Sequence, residues 1–278
     1  MNSVKENWNP KKTRYLTLLL SIVLLSVVGI LYAFIYFSDL IIMTLQTVEG
    51  SALVLMILLI RIAVMSILTF FIFLNWFKAE EVYLNDIPCL IGFMFLTITL
   101  GKPLDVLQNL TFMVLPDNLA VLILKIRYIP IIFTAVPLLY LGINMILYNL
   151  SLKGKEKYKN EKTVKKTRNW ILSGIVAVEL VGLLIANTIA SIGILLPIFI
   201  IPSLIIATWL FYFAWKNGRL SSVKPFILMV GFCLYLFSNL LRPVLQKVLG
   251  MNVFYASIAE FLDVMVFIIL FTGLFSKK

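Results

Sequence analysis

The chain has 278 residues, of which 62% are hydrophobic and only 13% charged, with a mean hydropathy of +1.03. That composition excludes an ordinary water-soluble domain and makes a lipid bilayer the solvent. With no histidine, haem ligation, the usual zinc sites and Ser-His or Cys-His dyads lack their imidazole, so those enzyme classes fall away and no cofactor is expected.

In chain order, a basic tail with Lys5, Lys11, Lys12 and Arg14 precedes an apolar stretch over 15–37. This stretch is too long for a signal-peptide core and has no clear small-x-small cleavage site, so it is read as a retained membrane helix. Further spans are predicted at 52–76, 88–107, 120–150, 169–190, 192–215, 224–244 and 253–275, each long enough to cross roughly 30 Å of hydrocarbon with some tilt. The fold class is therefore an all-α polytopic membrane protein with eight transmembrane helices. The least secure junction is 187–193, where two spans follow so closely that a re-entrant pair is the alternative. Cys89 and Cys233 fall inside different spans and are expected to be buried apolar thiols.

Lysine and arginine are retained on the cytoplasmic side as a membrane chain inserts. Placing both termini inside collects the N-terminal tail, Lys78, the run from Lys153 to Arg168, the trio Lys216, Arg219 and Lys224, and Lys277 with Lys278 on one face. Lys102, Arg242 and Lys247 fall outside, Lys125 and Arg127 lie near the outer end of the fourth span, and Arg61 sits deep in the second. The formal net charge of +11 is thus a membrane-orientation signal. It is not a nucleic-acid footprint, and the basic stretch lacks aromatic interleaving beyond Tyr158.

The two halves echo each other. Lys11-Lys12-Thr13-Arg14 recurs as Lys165-Lys166-Thr167-Arg168, and Val28-Gly29-Ile30-Leu31 as Val181-Gly182-Leu183-Leu184. At one constant later offset Thr69, Trp76, Gly92 and Phe93 match Thr208, Trp215, Gly231 and Phe232, and one residue further Lys102-Pro103 matches Arg242-Pro243. The reading is a parallel 4+4 internal repeat, residues 1–150 and 169–278, joined by a basic cytoplasmic linker over 151–168 that contacts lipid headgroups. Small residues Ser26, Gly29 and Ala33 in the first span, and Glu179, Gly182, Ala186 and Asn187 in the fifth, form one stripe each and are expected to pack closely or line an interior face.

Ionisable groups inside hydrocarbon are costly and are site candidates by default. Arg61 and Glu179 are both placed about 15 Å deep, and a salt bridge between them across the seam of the repeats is expected. Glu260 and Asp263 share one helical face, have too few apolar residues after them to snorkel outward, and are expected to pair with Arg127 or, with Lys102, Asp105, Arg242 and Lys247 nearby in depth, to line an outward polar cavity. Lys125 and Arg127 either snorkel or pair. On the cytoplasmic side Glu80, Glu81 and Asp86 face the matching Lys216, Arg219 and Lys224, which suggests docking of the two loops. Pro197 and Pro202 should kink or break the sixth span.

The candidate substrate or ion-pathway residues are therefore Arg61, Glu179, Asn187, Glu260, Asp263 and Arg127, with no catalytic or metal-binding set. The functional expectation is a non-enzymatic transporter or ion-pathway protein of a prokaryotic cell membrane, with membrane lipids and a small-molecule or ion substrate as partners. The alternative is a membrane sensor acting through a separate cytoplasmic partner, since the chain stops soon after its last helix. A rhodopsin-type retinal protein would need a Schiff-base lysine in the final span, and 253–275 has none.

Overall fold

In the computed structural model, residues 10–111, 115–152, 154–220, 222–249 and 253–275 are described, and all regular structure among them is helical. Eight helices are long and apolar enough to cross a membrane. In chain order they are α1 (Pro10–Tyr36), α3 (Ser51–Lys78), α4 (Ile87–Thr111), α5 (Asp117–Leu152), α6 (Glu161–Ile185), α7 (Ile189–Lys216), α8 (Pro225–Leu249) and α9 (Val253–Phe275). A short α2 (Ser38–Thr47) intervenes between α1 and α3. The hydropathy spans left 38–51 as a connection, because the ten residues of α2 are too few to cross a bilayer.

The junction between the fifth and sixth spans resolves into two full helices. α6 has 25 residues and α7 has 28, or roughly 37 and 42 Å at the α-helical rise. Thr188 and Ser191 cap α7 reciprocally, each side chain accepting from the other's backbone N–H, which satisfies two donors that hydrocarbon would otherwise strand. Asn187 lies in this connection and is exposed. It is therefore not on the helical stripe of Glu179. α6 also begins earlier than the hydropathy window, so that Lys162, Lys165, Lys166 and Arg168 of the expected linker are helical. Lys5, Lys153, Lys277 and Lys278 lie outside the described residues.

α7 continues as one helix through Pro197 and Pro202, so of the expected kink or break the break does not occur. In lipid an open backbone has no water to bond, so the helix persists and local groups adjust. Ser203 Oγ donates to Ile200 O at 2.7 Å beside the second proline.

Six helices close into a ring, in which α3 packs on α4, α4 on α5, α5 on α7, α7 on α8, α8 on α9, and α9 back on α3. α1 and α6 sit outside it, α1 against α4 and α6 against α5 and α7. Peripheral helices bury little: Leu19 is the one buried residue of α1, and Glu179 and Leu183 those of α6. Among the described residues nothing lies within 4 Å of a Cβ built on Gly29, so the small-residue stripe of α1 packs against none of them there. The core is aromatic and aliphatic, with Phe95, Phe211, Phe232 and Phe267 fully buried and Phe211 stacked on Phe232.

Two glycines set close approaches. A Cβ on Gly142 of α5 would meet Ile206 of α7 at 2.1 Å, so only glycine allows those helices their spacing. Gly50, at φ +79°, turns the chain into α3 and would bring a Cβ within 2.6 Å of Val253 at the start of α9.

Candidate functional site

Short connections make consecutive helices antiparallel, so the starts of α3, α5 and α9 share a face with the ends of α4 and α8. Counting from those ends at 1.5 Å per residue, Arg61, Lys102, Asp105, Arg127, Arg242, Glu260 and Asp263 all lie at about 9–15 Å depth. Five helices thus deliver seven charges to one layer of the ring.

Within that layer the carboxylates are shared. Glu260 accepts from Arg61 Nη1 and, at 3.2 Å, from Lys102 Nζ, with Arg242 Nη2 at 3.9 Å. Asp263 accepts from Arg242 Nη2, has Arg61 Nη2 at 2.6 Å and accepts from Ser238 Oγ at 2.9 Å. Asp105 takes Arg127 Nε and Lys102 Nζ, the latter at 3.0 Å, while Arg127 Nη1 donates to Gln108 Oε1. Arg61 is 2% exposed, Lys102 6%, Glu260 8% and Asp263 3%. Isolated ions at this burial would cost several kcal/mol each, and it is the two or more opposite charges around every carboxylate that make the layer tolerable. Arg61 also lies over the Phe267 ring, 5.8 Å from its centroid, a contact that suits a weakly hydrated guanidinium.

A cavity of about 110 Å³ adjoins this layer. Every ring helix lines it: Arg61 from α3, Lys102 and Asp105 from α4, Arg127 and Thr134 from α5, Ser203 from α7, Tyr235, Asn239 and Arg242 from α8, and Asp263 from α9. None of its lining comes from α1, α2 or α6. Arg61 and Arg242 both reach it, and the Nε of each is buried without a hydrogen-bond partner. On the outer side of α3 and α9 a separate apolar groove of about 500 Å³, with Ile57, Ile60 and Phe261 on its walls, has Arg61 and Glu260 among its lining residues.

The structure redistributes the expected pairs. Arg61 pairs with Glu260 and Asp263 rather than Glu179, because α9 closes the ring on α3 while α6 stays outside it. Glu179 is 1% exposed and its Oε2 has no hydrogen-bond partner among the described residues; its helical neighbours Val176 and Leu183 belong to an apolar cluster joining α5, α6 and α7. Arg127 pairs with Asp105, not with the α9 carboxylates, and Lys125 Nζ donates to Leu184 O at 2.9 Å. Cys89 is buried, but Cys233 is exposed on the outside of the bundle.

Nor do the loops after α3 and α7 dock by charge. Among the described residues no ion pair joins Glu80, Glu81 or Asp86 to Lys216, Arg219 or Lys224. Asp86 instead accepts from Trp76 Nε1 at 3.1 Å and from the Tyr83 N–H at 3.0 Å. Glu81 accepts from the Tyr83 hydroxyl, and that bond together with the adjacent negative charge raises the tyrosine's pKa. Arg219 lies over the Tyr148 ring.

Sequence reasoning placed Lys102, Asp105, Arg242 and Lys247 near the α9 carboxylates in depth and made Lys102 and Arg242 equivalent by their basic-Pro motifs; Lys247 is exposed and takes no part in these ion pairs. The structure brings Lys102 and Arg242 onto Glu260. Sequence reasoning missed Ser238 and Gln108, whose polar side chains carry no distinguishing signal in a sequence. The chain matches no protein-family model, no curated protein and no solved structure.

Proposed function

We propose that this protein is a carrier or ion pathway of the cell membrane, both termini cytoplasmic, whose small polar solute passes through the ionic cavity inside the ring. One observation carries the reading: a cavity lined by all six ring helices and bordered by a shared network of buried charges. A network that served only to hold two helices in register would need one pair, not seven charges on five elements.

The ring order supports two parallel repeats. Each half supplies one peripheral helix, α1 or α6, and then three consecutive ring helices, α3–α4–α5 or α7–α8–α9. The two seams, α5 on α7 and α9 on α3, are equivalent under a two-fold axis along the membrane normal, the arrangement in which one bundle rocks against the other around a central site. The matched residues have diverged in environment. Trp76 is buried and Trp215 exposed, and Gly92 faces α3 while Gly231 faces α9. The charge of Glu260 and Asp263 is confined to the second half, so any such pair of repeats is now asymmetric.

The test is electrogenic response of proteoliposomes on a solid-supported membrane, wild type beside Asp263→Asn, with pH jumps, Na⁺ gradients and a panel of amino acids, sugars and organic or inorganic ions. A wild-type current lost in the variant supports the pathway. Ligand binding at the cavity with no flux of any panel member, electrogenic or isotopic, would replace transport by ligand sensing through a partner.

A further inference from the structure

The charges around the cavity do not cancel. Four cations, Arg61, Lys102, Arg127 and Arg242, meet three carboxylates, Asp105, Glu260 and Asp263. One positive charge therefore remains in a layer that is mostly sheltered from water. Leaving out the mutually paired Asp105 and Arg127 gives the same excess: Arg61, Lys102 and Arg242 against two carboxylates. An uncompensated buried charge costs several kcal/mol, whereas an anion beside it removes that cost.

The donors point the same way. Each carboxylate already accepts from two or more cationic groups, yet among the described residues Nε of Arg61 and Nε of Arg242 are buried with no acceptor. Both side chains line the cavity. A buried guanidinium N–H without an acceptor is a deficiency that a ligand oxygen or halide can fill. The space suits a small ligand: about 110 Å³ corresponds to roughly three to four waters at their liquid volume, enough for a halide or a one- to two-carbon anion.

We propose that the ring cavity is a binding site for a small monovalent anion, of the chloride, nitrate or formate kind, held between Arg61 and Arg242. The inference rests on the carrier reading only for its physiological meaning. The site itself follows from the excess charge, the unpartnered donors and the volume.

Thermal unfolding of the purified full chain in detergent tests it, with sodium chloride, nitrate, formate and gluconate titrated in separate series over the same range of ionic strength. The expected result is a saturable rise of the midpoint with the three small anions, half-complete at millimolar concentration, and none with gluconate. Arg242→Gln makes the network neutral while Arg61 still bridges Glu260 and Asp263, and it should weaken the anion effect about tenfold or more. Should that variant not fold, Ala135→Leu fills the cavity from α5 without touching a charge and should abolish the effect.

Equal shifts with chloride and gluconate would overturn the proposal in favour of ionic screening. A shift that follows Na⁺ against a bulky organic cation would overturn it in favour of a cation held by the carboxylates. Flux of the same anions into proteoliposomes separates the two readings. Saturable binding without flux upholds the site and removes the carrier, and flux without saturable small-anion binding upholds the carrier and removes the site.

Discussion

Removing Arg61 is the sharpest probe of the ionic layer. Its two terminal nitrogens contact Glu260 and Asp263 and it is 2% exposed. Arg61→Met keeps much of the volume over Phe267 but leaves Glu260 with Lys102 at 3.2 Å and Asp263 with Arg242 and Ser238. Breaking a buried ion pair from one side costs about 3–5 kcal/mol. The remaining partners of both carboxylates put the expected loss at the lower end, about 3 kcal/mol. Glu260→Gln should cost a similar amount, and the double variant should recover about 1–3 kcal/mol of the sum, because the two groups share one contact. Arg61 and Glu179 share none, so a cycle on that pair should be additive to about 0.5 kcal/mol. Reversible unfolding in mixed micelles, followed by tryptophan fluorescence, measures both cycles. Additivity between Arg61 and Glu260, or coupling above about 1 kcal/mol between Arg61 and Glu179, would refute the placement of α9 against α3.

Three further outcomes are expected. Glu179→Gln should leave stability unchanged or raise it, since it replaces an unpartnered buried carboxyl in apolar surroundings by a neutral group, and a loss above about 2 kcal/mol in the same unfolding assay would show that the carboxylate has a partner. Gly142→Val should destabilise by about 1–3 kcal/mol or more, because its side chain collides with Ile206 across the α5–α7 contact; an unchanged unfolding midpoint would mean those helices are farther apart. Thiols introduced at Ser151 and Asn217 should react with a membrane-impermeant maleimide only from the cytoplasmic face, and labelling of either from outside in intact cells would reverse the orientation.

Helix number was legible in the sequence because hydropathy is a local property. At 1.5 Å per residue an apolar run of about 20 residues has to cross hydrocarbon, whatever it packs against. All eight spans were found this way, with errors at the ends where polar residues such as Lys162 to Arg168 extend a helix into the headgroup region. Depth was legible too, so Lys102, Asp105, Arg242, Glu260 and Asp263 were placed in one layer before their contacts were known.

Partner choice was not legible. An apolar helix surface satisfies lipid as well as it satisfies another helix, so nothing in the sequence of α6 says that it stays outside the ring, or in that of α9 that it closes on α3. That one tertiary decision gave Arg61 to Glu260 and Asp263 and left Glu179 alone among leucines, valines and isoleucines. It also brought Lys102 and Arg242, matched by sequence alone, to the same carboxylate. The charges and their depths were written in the chain, and ring closure determined which of them meet.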